Sequence, residues 1–232
     1  HSLGCPDRAL QLMDATLEHA RTRNHPFDHV WALYFAMAQL HALRNDGSAI
    51  EKLLVEYEPR ARAQRLVFFE TVLGPFCRAI ADRLQGRLQQ AAQVLADLEP
   101  EMERAGLLNV LSELRLQRAE CSLDLREPHM ALRHLERVDR QISQPGHELG
   151  YLLVELRRIQ AVAMVASGMW EEGEAAFKEA LSVATRQGAR WWELRAARFY
   201  ADFLQSTGRY GDAYRILHPI TQCFSREGET TD

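Results

Sequence analysis

Gly168-Met169-Trp170-Glu171-Glu172-Gly173-Glu174-Ala175-Ala176-Phe177-Lys178-Glu179-Ala180-Leu181 is answered by Gly208-Arg209-Tyr210-Gly211-Asp212-Ala213-Tyr214-Arg215-Ile216-Leu217. In both stretches a hinge glycine is followed five positions on by a small residue, Gly173 or Ala213. Four residues later comes a larger apolar one, Phe177 or Leu217. Working outward, the same triplet recurs as Arg126, Ala131 and Leu135, as Gly86, Ala91 and Leu95, as Arg44, Ala49 and Leu53, and as Gly4, Ala9 and Met13. The hinges are spaced by 40, 42, 40, 42 and 40 residues. Seven residues before the hinge stand Ala79, Ala119, Ala161 and Ala201. The first repeat departs, with Met37 there between Ala36 and Ala38. A fixed period of this length is the mark of a repeat architecture.

Each repeat reads as two helices, A before the hinge and B after it, which approach closely at the small residues. In 114–125 and 149–165 apolar residues fall at three- and four-residue spacing, with Arg, Glu and Gln between them. No alternating strand pattern appears. Breakers fall between the pairs, at Asn24-His25-Pro26, Asn45-Asp46-Gly47-Ser48 and Gln144-Pro145-Gly146. Ser48 reads as an N-cap and Gly188 as a C-terminal stop. The map has eleven helices, near 6–23, 28–44, 48–62, 66–85, 88–105, 108–125, 128–143, 148–167, 171–187, 190–207 and 211–225, with a kink expected at Gly74-Pro75.

The Gly168 and Gly208 stretches resemble the tetratricopeptide pattern, at a longer period than the usual one. The fold expected is therefore all-α: a right-handed α-solenoid of tetratricopeptide-like helix-turn-helix repeats. It would form a single superhelical domain over residues 1–232, of five and a half repeats. The length of the repeat is similar to that in the C-terminal sensor arms of signalling ATPases, including the maltose-regulon activator type.

Two further segments carry a narrower resemblance. His25-Pro26-Phe27, leading into Ala32-Leu33-Tyr34-Phe35-Ala36 and Leu40-His41-Ala42-Leu43-Arg44-Asn45-Asp46, is one. The other joins Trp192-Glu193-Leu194-Arg195-Ala196-Ala197, Gly208-Arg209 and the closing Phe224 to Asp232. Both are similar to the helical-repeat C-terminus of a bacterial family. In that family a class III adenylate/guanylate cyclase or winged-helix output domain and a STAND-type NTPase come first. The segment from Tyr57 to Gln89 departs from that pattern. The resemblance implies an upstream NTPase and output domain, and the start at His1 reads as a piece of a longer array.

The 232 residues are 47% hydrophobic and 26% charged, a composition that folds. The net charge of −4 supplies no positive field for a polyanion, so nucleic acid is not expected as a direct partner. Cys5, Cys77, Cys121 and Cys223 form neither CxxC pairs nor a dense disulfide framework, and they fall mostly in apolar helical positions; a reducing cytoplasm is expected. No apolar run has the roughly 20 residues of a membrane span.

Catalytic and cofactor motifs do not assemble in the sequence. No GxxxxGK[ST] loop, GxGxxG or nucleophile elbow occurs, and His147-Glu148 does not complete a zinc helix. His25 and His29 have the spacing of a helical metal pair, but Pro26 intervenes and no third ligand offers itself, so turn and capping roles are expected. Glu171-Glu172 reads as a solvated first turn, and of Trp191-Trp192 the second is expected to pack on the preceding repeat.

In such an array the concave wall is built from the A helices. Its inward positions include Trp31, Tyr34 and His41 in the first repeat, then Phe76 and Arg83, then Glu113 and Glu120. The C-terminal repeats add Glu155 and Arg158, then Arg195, Arg198, Asp202 and Gln205. A groove aromatic at one end and rich in guanidinium forks at the other fits an extended peptide, a partner protein or a small amphipathic effector. The competing reading pairs the charges across neighbouring A helices, Glu155 with Arg195 or Arg198 with Asp202. The expected function is a non-catalytic sensor or interaction arm without cofactor or metal. The alternative is a scaffold that assembles, as a homodimer, through the solenoid surface.

Overall fold

Repeat hinges need a backbone that ends one helix and redirects the next, and the left-handed residues mark where this happens. Gly86, Gly168 and Gly208 adopt φ of +82°, +83° and +78°. At each, the residue after the hinge donates its N–H five residues back: Arg87 to the Asp82 carbonyl at 2.8 Å, Met169 to Met164 at 2.9 Å and Arg209 to Leu204 at 2.8 Å. The hinge N–H itself reaches the carbonyl three residues back, which makes this the Schellman ending of a helix. Arg126 adopts the left-handed conformation without being glycine, at φ +65°, and Gly188 stops its helix at φ +62°.

The computed structural model describes residues 6–23, 25–142 and 150–227. The Gly4 hinge, Cys5, Asn24, the Gln144-Pro145-Gly146 turn, His147-Glu148 and the closing Gly228 to Asp232 lie outside the described residues, as does the side chain of Cys223. Among the described residues every regular element is helical: α1 Pro6–Arg23, α2 Pro26–Phe35, α3 Gly47–Ala63, α4 Gly74–Leu84, α5 Leu88–Ala105, α6 Leu108–Asp124, α7 Pro128–Ile142, α8 Leu153–Ala166, α9 Trp170–Gln187, α10 Arg190–Ser206 and α11 Tyr210–Glu227. The expected all-α helical-repeat architecture is the one found. The chain divides into two compact units, Asp7–Leu125 with α1 to α6 and a second that begins at Arg126, with α7 to α11.

From α2 to α6 in the first unit and from α7 to α11 in the second, consecutive helices pack on one another along the stripe that the repeat predicts. Ala79, Ala119, Ala161 and Ala201 are all buried, as are Ala91, Ala131 and Ala213 at the small positions. In the first unit Leu95, Leu98 and Met102 of α5 join Ile50, Leu54, Tyr57 and Ala61 of α3 in one core. In the second, Phe177 of α9 stacks on Tyr200 of α10, with ring centroids 5.3 Å apart, amid Ala176, Phe203 and Leu204.

Several local expectations are corrected. The first repeat is shifted by one residue: its left-handed residue is Asn45, φ +56°, and the buried positions are Ile50 and Leu54 in place of Ala49 and Leu53. The cause is a π-helical segment, Ala36–His41, in which Ala42 N–H bonds to the Met37 carbonyl five residues back. That wider turn holds one extra residue and puts the following residues out of phase. The helix-capping side chain of α3 is Asp46, which accepts from the Ala49 N–H at 2.9 Å, so Ser48 sits inside the first turn.

The expected kink at Gly74-Pro75 also takes π form, over Phe69–Leu73. Pro75 has no N–H, and its ring crowds the carbonyl four residues back, so widening the turn before it relieves the clash. Trp192 is buried as expected. Trp191 is half-buried, its ring edge-on to Phe224 at 6.2 Å.

Candidate functional site

The groove positions of the second unit come together as an ion cluster. The Glu155 carboxylate accepts from Arg158 Nε at 2.9 Å and Nη2 at 2.5 Å, and Arg195 Nη2 lies 3.0 Å from Glu155 Oε1. Arg158 is only 2% exposed and its guanidinium carbon stands 4.5 Å over the Phe199 ring. Glu155 on α8 and Arg195 on α10 thus pair across neighbouring A helices, one repeat apart. Arg198, Asp202 and Gln205 are exposed on α10.

The same arrangement occurs in the first unit. Arg83 on α4 reaches across to α6, with Nη2 2.8 Å from Glu120 Oε2, Nη1 3.0 Å from Asp124 Oδ2 and Nε 3.2 Å from Gln117 Oε1. Burial works against its charge, and the Glu120 and Asp124 carboxylates outweigh that, raising its pKa. Glu113 is half-buried and Phe76 fully buried. Trp31 is half-buried in a ring cluster, edge-on to Tyr34 at 5.6 Å and to Phe69 at 5.0 Å, and stacked on Phe35 at 5.4 Å. Tyr34 is buried there, and half-buried His41, whose pKa desolvation lowers, ends the π segment of the first A helix. His25 accepts the Asp28 N–H as the cap of α2, while buried His29 lies 2.8 Å from Glu56 Oε1, its pKa lowered chiefly by burial.

Sequence reasoning missed a cleft on the other side of α4. It has a volume of about 370 Å³ and lies where α3, the π turn with α4, and α5 meet. Tyr57, Gly74, Pro75 and Val94 supply apolar surface, and Asp82 forms part of the wall. Local packing builds it. The Tyr57 hydroxyl donates to the Phe69 carbonyl at 2.9 Å, the same carbonyl that accepts the Gly74 N–H across the π turn. A Cβ at Gly74 would sit 3.0 Å from Tyr57 Cε1 and 3.1 Å from that carbonyl oxygen, so glycine is what lets the ring approach. Burial holds the Tyr57 phenol well above its ordinary pKa, and it remains a neutral donor.

The charges around the cleft are unequal. Arg78 pairs with Glu58, and Arg62 Nε lies 3.4 Å from Glu70 Oε1. Arg87 is shared between two carboxylates, Asp82 Oδ1 at 2.7 Å and Glu51 Oε1 at 2.6 Å. Asp82 is 3% exposed, and its second oxygen, Oδ2, has no hydrogen-bond partner. A buried polar atom left without a partner costs about 1–3 kcal/mol, and more for a charged group. The sequence carried one faint signal of it. Four residues before the other left-handed hinges stand His41, Ser122, Met164 and Leu204, and only here an acid, at the helix end where the dipole disfavours one.

Cys77 and Cys121 are buried, Cys121 Sγ lying 3.5 Å from the Leu88 carbonyl oxygen, and burial pushes the Cys77 thiol far above its ordinary pKa. Among the described residues no group of three or more His, Cys, Asp or Glu is placed to hold a metal ion. Compared with protein families and with curated proteins, the chain gives no match.

Proposed function

We propose that this chain is a non-catalytic helical-repeat binding domain that takes a small effector or a peptide, and that binding is read by other parts of a signalling protein. The observation that carries the reading is the cleft of about 370 Å³ between α3, α4 and α5, a volume in the range of small-ligand sites. Its walls come from three successive helices, so an occupant bridges two repeats and favours one packing of them over another. That is the mechanism by which such an arm reports binding. An upstream NTPase with a cyclase or winged-helix output, and a cytoplasmic setting, are the parts of the proposal that rest on the family resemblance of the His25 and Trp192 segments. No described helix is long and apolar enough to cross a membrane.

Light scattering over a concentration series, combined with native mass spectrometry, tests this. A monomer carrying an additional stoichiometric small mass is the expected result. A ligand-free dimer, independent of concentration, favours the scaffold reading. One observation supports that alternative: Trp170 and Tyr210 open the B helices α9 and α11 at equivalent repeat positions and are 57% and 68% exposed.

A further inference from the structure

We infer that the cleft between α3, α4 and α5 selects a small amphipathic cation, a primary ammonium on an apolar body, and that Asp82 is its counter-ion. The inference rests on the reading of this cleft as the binding site and names the chemistry of what it binds.

Three observations converge on a cation. First, the wall contains a carboxylate, 3% exposed, whose Oδ2 lacks any donor. Such an oxygen asks for an N–H donor, and a charged donor makes the stronger bond. Second, the basic side chains nearby are already engaged. Arg62 and Arg78 line the cleft but face Glu70 and Glu58, and Arg87 divides itself between Asp82 and Glu51. Three guanidiniums therefore answer four carboxylates, and the excess is one negative charge. An anion would meet that excess and would have to compete with these carboxylates for the guanidiniums. Third, the wall beside Asp82 is apolar: half-buried Pro75 and Val94, with buried Tyr57 and Gly74. This suits a hydrocarbon or aromatic body, and a bare metal ion or a fully hydrated ammonium would gain nothing from it. The Tyr57 hydroxyl supplies no competing donor, because it is committed to the Phe69 carbonyl.

Isothermal titration of the full chain with phenethylammonium, and with its neutral counterpart 2-phenylethanol, reads the inference directly. The amine is expected to bind at least tenfold more tightly than the alcohol. Asp82→Asn, which keeps the volume and removes the charge, is expected to weaken the amine at least tenfold and leave the alcohol unchanged. Because Asp82 also holds Arg87, a second variant leaves that pair intact: Gln90→Trp, from the exposed cleft edge on α5, fills the space and is expected to abolish binding of both. Nα-acetyl-lysine amide carries the same ammonium on a peptide backbone. If it binds more tightly than phenethylammonium, the occupant is a partner's lysine and the small-molecule assignment is overturned.

Equal binding of amine and alcohol, unaltered by Asp82→Asn, overturns the cation while leaving the cleft as a site. No binding of either probe, together with a chain free of co-purified small mass, overturns the cation and the underlying reading together.

Discussion

Arg158 shows why a charged groove position cannot be read as a ligand contact from its place on a helix alone. Its fork is filled by Glu155 and its face by Phe199, and the carboxylate is shared with Arg195 one period away. Taking one partner from a buried ion pair strands the other, at about 3–5 kcal/mol. Arg195 still holds the Glu155 carboxylate when Arg158 is removed, so Arg158→Ala is expected to lower unfolding stability by more than about 1 kcal/mol and less than that full amount, whereas Arg198→Ala, on the exposed side of α10, stays within about 0.5 kcal/mol. Urea titrations of the two variants check this, and equal small effects would mean that the Arg158 fork is not engaged as described. The pairing was legible: Glu155 and Arg195 lie 40 residues apart, so the period already places them on neighbouring A helices. Asp82 was not, because its environment depends on Tyr57 from α3 and on Arg87 in the turn between α4 and α5, and no spacing along one helix encodes that.

Helix pairing is where the sequence was most informative, because small residues at a fixed register set how closely A and B approach. The pair α8 and α9 is the tightest case. A Cβ at Gly173 would lie 2.6 Å from Val165 Cγ2 and 3.1 Å from the Ala161 carbonyl oxygen. The equivalent A-helix positions carry Arg83, Leu123 and Gln205, all unbranched at Cβ, and there the small residue is alanine: Ala91, Ala131 and Ala213. Only β-branched Val165 is met by glycine. Gly173→Ala gains up to about 1 kcal/mol of helix propensity, against an overpacking cost of about 1–3 kcal/mol. A net loss is expected, and adding Val165→Ala should recover it, with a coupling above about 0.5 kcal/mol in a double-mutant cycle. Additive effects would mean that the Val165 methyl is not the obstacle. What the same pattern did not reveal is the two π turns. They leave composition and hydrophobic spacing almost untouched while adding a residue, and the only trace was the Met37 mismatch in the first repeat and the proline at 75.

A repeat protein holds together through contacts between neighbouring helices, so a segment with several repeats and its own core needs no distant part of the chain to fold. The unit Asp7–Leu125 has such a core, running from Leu17 and Ala20 of α1 to Leu111, Leu114 and Cys121 of α6. The unit that begins at Arg126 has another, built on Ala161, Phe177, Tyr200, Leu204 and Ala213. Local contacts of this kind also mean that little loop-closure entropy must be overcome before packing stabilises the chain. Expressed separately, residues 7–125 and 126–232 are each expected to be helical and to unfold cooperatively. Far-UV circular dichroism and thermal melts of the two pieces check this, and a piece that stays unstructured would show that its core depends on the rest of the chain. Every residue that lines the α3–α4–α5 cleft belongs to the first piece, including Asp82 and Gln90. If that piece folds, it therefore carries the complete cleft and should bind phenethylammonium as tightly as the intact chain, while residues 126–232 bind none.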